Sequence, residues 1–123
     1  MPPVSKISVH FDRTEFACKC GCGFDTVDIE LVELLEDIRT HFNSPVIINS
    51  GHRCTQHNKK VGGGSKSQHL RGRAADIEVS GVSPTVVAAY VDQLYPDMYG
   101  LGRYSSFTHV DTRTGKARWD NRA

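Results

Sequence analysis

No stretch of this 123-residue chain comes near the roughly 18 consecutive apolar residues that would span a bilayer, so no membrane insertion is expected. A bias of charge is missing too: 15 Lys and Arg stand against 14 Asp and Glu, a net charge of +1. That balance argues against a nucleic-acid binder, and no Cys/His finger spacing is present to revive the idea. The N-terminal MPPVSKISVHF lacks an apolar core, so synthesis in the cytoplasm without a signal peptide is expected. A secreted disulfide scaffold thereby loses its context, despite four cysteines. A phosphate loop is absent as well, because Gly62-Gly63-Gly64 follow a helix-like segment where Walker-type glycines follow a strand. Aromatics make up only 8%, with Trp119 the single tryptophan and the expected late anchor of the chain.

What remains is ordinary for a globular protein, with 38% hydrophobic and 24% charged residues. The length suits one domain over residues 1–123, expected to be a monomer. Residues 5–23 read as an irregular N-terminal segment with a short strand at Lys6–Val9, then a capped helical turn from Asp12 to Phe16. From Asp28 to Phe42, Ile29, Leu31, Val32, Leu34, Leu35, Ile38 and Phe42 recur at helical spacing, and Asn43-Ser44-Pro45 stops the helix. Val46-Ile47-Ile48 predicts a short strand, central in its sheet. A helix is predicted from about Cys54 to Val61, a strand from Ala74 to Val79, and a helix over Pro84–Leu94 with Val86, Val87, Ala89, Tyr90 and Leu94 inward. Tyr99–Arg103 and Phe107–Asp111 predict an antiparallel hairpin, and Thr114-Gly115 a turn. This order fits an α+β domain with a small, mainly antiparallel sheet and packed helices.

The chemistry lies in Ser67-Gln68-His69-Leu70-Arg71-Gly72-Arg73-Ala74-Ala75-Asp76, answered later by Thr108-His109-Val110-Asp111. Two histidines and a carboxylate can form a three-ligand zinc site with one position open, which suits metal-assisted hydrolysis. Asp76 in an apolar strand needs a cation or donors to be stable there. His69 as a turn residue and His109 as a satisfied strand histidine are the competing readings. Lys59, Lys60, Lys66, Arg71 and Arg73 surround the segment, either as steering charges or as a solvated face.

Taken together, Ser50-Gly51-His52-Arg53, Asn58, Gly62-Gly63, the Ser-x-His-x(2)-Gly-x-Ala-x-Asp element and the late His109-Val110-Asp111 resemble a known family. It is the zinc D-Ala-D-Ala carboxypeptidase and peptidoglycan endopeptidase family M15, with its small phage and prophage members most similar. The resemblance runs from about Val9 to Trp119 and implies a hedgehog/DD-peptidase-like fold, with Zn2+ held by His69, Asp76 and His109. It further implies attack of water on a peptide bond of the peptidoglycan stem peptide or cross-bridge, as in an endolysin acting at the cell wall. Arg53 matches the family arginine that orients a substrate carboxylate or polarises the carbonyl, a role suited to a rigid guanidinium fork. A structural salt bridge is its other reading. Ser67 and Gln68 would hold the turn that presents His69 or contact bound peptide.

The general base departs from the family pattern. Relatives carry a Glu three residues, or a His two residues, before the last zinc histidine; here Ser106 and Phe107 stand there. Asp111 or His52 stands in, or no dedicated base exists, or turnover is low or lost; Asp111 is preferred, and it can equally orient His109 or contact Arg53. Loss of turnover would leave a cell-wall-binding or phage structural module that retains zinc. Cys18-x-Cys20-x-Cys22 and Cys54 stay open between a structural metal, a disulfide to Cys54 and reduced thiols, since one-residue gaps are tighter than usual zinc spacing.

Overall fold

The computed structural model describes residues 6–22, 27–64 and 67–122; Gly23 and Lys66 lie outside them. A short 3₁₀ helix, Arg13–Phe16, opens with a reciprocal cap in which Asp12 and Glu15 each accept the other's backbone N–H. Helix α1 (Ile29–Phe42) buries Leu31, Val32, Leu34, Leu35 and Ile38 and ends on Asn43 in the left-handed conformation. Strand β1 (Val46–Ser50), helix α2 (Thr55–Lys60), a second 3₁₀ helix (Gln68–Arg71) and strand β2 (Ala74–Val79) follow. Helix α3 (Pro84–Leu94), capped by Ser83 with proline in its first turn, leads to strands β3 (Tyr99–Arg103), β4 (Thr108–Asp111) and β5 (Lys116–Asp120). No described helix is long and apolar enough to cross a membrane.

The strands form one sheet in the order β1-β2-β4-β3-β5, antiparallel throughout except for the β3–β5 pair. Helices α1 and α3 cover one face, where Ile48, Ala75, Ile77, Val79, Leu101 and Val110 meet the helical apolar residues in the core. Because side chains alternate along a strand, Asp76, His109 and Asp111 necessarily emerge on the other face. The α+β class and the small, mainly antiparallel sheet agree with the sequence reading.

Four local expectations are corrected. Lys6–Val9 is not a strand; Lys6 makes a single antiparallel bridge to Asp12. Strand β1 lies at the sheet edge, with Ile47 half exposed, because β4 rather than β1 occupies the inner place beside β2. Helix α3 is rotated from its predicted face: Val87, Ala88 and Val91 are buried, while Val86 and Leu94 are exposed. Ile29 at the start of α1 is likewise exposed, although Leu31 and Val32 in the same turn are buried. Strand β5 was not foreseen, because Lys116-Ala117-Arg118-Trp119-Asp120 shows no apolar alternation and pairs with β3 in parallel.

Candidate active site

Cross-strand register builds the site. Asp76 on β2 lies opposite His109 on β4, His109 lies opposite Gly102 on β3, and Gly102 lies opposite Trp119 on β5. The four positions form one row across the open face. A Cβ on Gly102 would come 2.5 Å from the Trp119 indole, so glycine lets that ring lie over the strand beside His109, its centroid 4.9 Å from the imidazole and tilted by 47°. In the next row, Asp111 stands opposite Gly100, where any Cβ would run into its carboxylate.

His69 reaches this row from the 3₁₀ helix. Ser67 Oγ accepts its backbone N–H at 3.2 Å, and Gly72, left-handed at φ 68°, ends the turn. The His69 Nδ1 lies 2.7 Å from the Gly51 carbonyl. A carbonyl only accepts, so Nδ1 carries a proton and donates, and Nε2 is the ring nitrogen turned to Asp76 Oδ1, at 3.3 Å. His109 Nδ1 lies 2.9 Å from the same oxygen, and His109 Nε2 lies 2.7 Å from Asp111 Oδ2. Asp111, fully buried, also accepts from Arg113 at 2.8 and 2.7 Å. Arg113 in turn lies over the Trp119 ring, 5.3 Å from its centroid.

The ligand atoms of His69, Asp76 and His109 all lie within 4.8 Å of one another. The 3.3 Å from His69 Nε2 to Asp76 Oδ1 equals the edge of a tetrahedron with metal–ligand bonds of about 2.0–2.1 Å, roughly 3.3 Å, and the 2.9 Å from His109 Nδ1 to the same oxygen is somewhat shorter. The donor set therefore fits zinc. Charge agrees with geometry. Burial alone would raise the Asp76 pKa, but hydrogen bonds and charge from His109 and His69 outweigh it and hold the carboxyl well below its ordinary range. Burial also opposes a charged His109, yet Asp111 and Asp76 raise its pKa. The Asp76 and Asp111 carboxylates on either side of His109 thus favour positive charge within the ligand cluster.

Arg53 lies beside the cluster. Its Nε donates to Ser50 Oγ at 3.1 Å, one terminal nitrogen to Asn58 Oδ1 at 3.2 Å and the other to Asp76 Oδ2 at 3.1 Å. A break in register between Ile48 and Ser50 turns this corner toward Asp76. Buried Asn58 also donates to the Gly64 carbonyl at 2.9 Å, tying the glycine loop to Arg53. Gly63 has no substitute here, since its Cβ would overlap the Asn58 amide.

These groups line an open cavity of about 380 Å³, with Gly62–Gly64 on one wall and Tyr104, Phe107 and Trp119 on another. Tyr104 and Phe107 stack at 4.3 Å, and the Trp119 Nε1–H donates to the Tyr104 hydroxyl at 2.9 Å. Of the residues singled out in the sequence, His69, Asp76, His109, Arg53, Ser67 and Gln68 all line this cavity. Asp111 sits behind His109 and pairs with Arg113, not with Arg53; buried His52 does not line the cavity. Exposed Lys59, Lys60 and Arg71 are not in its wall, and Arg73 pairs instead with Asp28 and the Thr112 carbonyl. Arg113, Tyr104 and the two strand glycines escaped the sequence reading. The Asp111-x-Arg113 spacing was the available signal, since such residues share a strand face. The four cysteines gather in a separate cluster and form no disulfide.

Comparison with curated proteins gives no match. Comparison with protein families matches residues 9–111 to Peptidase M15, a span that contains every one of the three ligands, Arg53 and Asp111. With zinc-competent residues lining the cavity, the chain is a metallopeptidase and belongs to the peptidase M15 family.

Proposed function

We propose that this metallopeptidase cuts a peptide bond in bacterial peptidoglycan, as a DD-carboxypeptidase or as an endopeptidase of the stem peptide or cross-bridge. The observation that carries the reading is a fixed guanidinium beside the three-ligand cluster, within a cavity whose walls bear two arginines and one carboxylate. Such walls favour an anionic peptide, and stem peptides carry free carboxylates. Arg53 uses three of its five N–H groups on Ser50, Asn58 and Asp76, which leaves two for a substrate oxygen. Gln68 Oε1 is buried without a partner among the described residues, a cost that a substrate amide N–H would relieve. The stacked Tyr104–Phe107 pair gives the peptide an apolar wall.

Zinc, when bound by His69, Asp76 and His109, supplies the Lewis acid that makes water nucleophilic and polarises the carbonyl. The chain supplies the orientation. Gly51 sets the His69 tautomer, and Asp111, locked by Arg113, does the same for His109. Asp76 is the sole carboxylate among the described cavity-lining residues, and Phe107 occupies the place of a family base. We therefore assign Asp111 to orientation and no described side chain to proton abstraction.

The test is zinc content together with product release from intact peptidoglycan, with His69→Ala as control. New amino termini that vanish in the variant identify the enzyme and the bond cut. Wall retention with zinc bound and no released peptide, across several wall types, would instead support the binding module that the absent base leaves open.

A further inference from the structure

We propose that Cys18, Cys20, Cys22 and Cys54 hold a second zinc ion, in a closed four-thiolate site that clasps the N-terminal segment to the loop carrying Arg53. The four sulfurs come from segments 36 residues apart and all lie within 4.8 Å of one another. Cys18 Sγ stands 3.4 Å from Cys20 Sγ, and Cys20 Sγ stands 3.6 Å from Cys54 Sγ. A tetrahedron with zinc–sulfur bonds of about 2.3 Å has edges of roughly 3.8 Å, close to both.

The tight Cys-x-Cys-x-Cys spacing is accommodated by backbone. Gly21 adopts φ 82° and donates its N–H to the Cys18 carbonyl at 3.1 Å, so the chain reverses and returns Cys22 toward the other three sulfurs. Two sulfurs also receive backbone donors, from Cys54 N–H to Cys18 Sγ and from His57 N–H to Cys54 Sγ, both at 3.4 Å. Sulfur accepts weakly as a thiol and well as a thiolate, the form a metal requires. Packing gives no other reason for the cluster: Cys20 and Cys22 are exposed, whereas cysteines used as small apolar residues are buried. Four protein ligands leave no open position, so the role is structural.

The clasp meets the peptidase site within four residues. Gly51 accepts from His69, the His52 N–H donates to the Phe16 carbonyl at 2.8 Å, the Arg53 N–H donates to the His69 carbonyl at 2.9 Å, and Cys54 joins the cluster. A Cβ on Gly51 would come 2.7 Å from Phe16 Cα, so segment and loop are in backbone contact. The second zinc therefore fixes the same loop that His69 contacts through Gly51 and Arg53.

Elemental analysis of the protein purified under reducing conditions is the experiment. Two zinc ions per chain are expected, falling to one in His69→Ala/His109→Ala and to one in Cys20→Ser/Cys22→Ser, a pair chosen because neither side chain is buried. X-ray absorption at the zinc edge of the histidine double variant should show sulfur neighbours only, at about 2.3 Å. Loss of all zinc from that folded variant, iron in the sulfur site, or rapid alkylation of four thiols in native wild-type protein would each overturn the proposal.

Discussion

His109 has a carboxylate on each ring nitrogen, and the two partners have different tasks. Asp76 shares the ligand cluster, whereas Asp111 lies behind the ring, buried and held by Arg113. Burial would raise the Asp111 pKa, but Arg113 and His109 hold it well below the usual carboxylate range, so it remains an acceptor at neutral pH. Asp111→Asn should keep the fold and weaken zinc affinity by about 10–100-fold, read by titration against a competing chelator. Unchanged affinity would remove Asp111 from the orienting role. Gly100→Ala pushes a methyl group into the same carboxylate and should cost about 1–3 kcal/mol in urea unfolding, while Gly64→Ala, with open space around it, should cost far less. The candidate ligands were named in the sequence as residue types with other readings open, and the family resemblance joined them into one set. The glycines were not, because their need arises from Asp111 and Trp119, which approach from other strands.

Among the elements, the clearest misreading concerns which helical face turns inward. Val86 and Leu94 are apolar but point outward, because α3 is oriented by Val87, Ala88 and Val91 against the sheet. Its C-terminal end adds a tyrosine cluster. Tyr95 donates to Asp37 at 3.2 Å and lies 4.9 Å from Tyr99, which donates to Glu30 at 3.0 Å. Burial, followed by the charge of Asp37, pushes the Tyr95 phenol up to about 12, and burial raises Tyr99 as well. An acid whose folded pKa exceeds its unfolded value of about 10 favours the fold fully below pH 10, and that contribution disappears as pH rises toward 12. The thermal midpoint should therefore fall between pH 10 and 12, and Tyr95→Phe should flatten that fall. An identical decline in the variant would place the alkaline sensitivity elsewhere. In α1, Leu35→Ala should cost about 2–5 kcal/mol, measured by chemical unfolding, because the side chain is fully buried in the core.

At the scale of the molecule, one sheet divides two kinds of chemistry. The helix-covered face carries the apolar core, and the opposite face carries ligands, arginines and the cavity. Stability and metal binding are thus coupled through the same strands. Excess chelator should abolish hydrolysis and lower the thermal midpoint. A ligand held at a thousandfold over its Kd stabilises by about 4 kcal/mol, so metal removal should be visible in any unfolding assay. A midpoint insensitive to chelation would mean that the native protein held no metal for the chelator to remove.

The sequence by itself determined the α+β class and most of the element types, because turn chemistry and helical spacing are written in neighbouring positions, while the candidate ligands, far apart along the chain, were joined into one set only by the family resemblance. Strand order, the edge placement of β1, the parallel addition of β5 and the row from Asp76 to Trp119 were decided only by tertiary structure. These depend on which distant strands pair and in what register, and the free energy of that choice comes from contacts between side chains that no local window contains together.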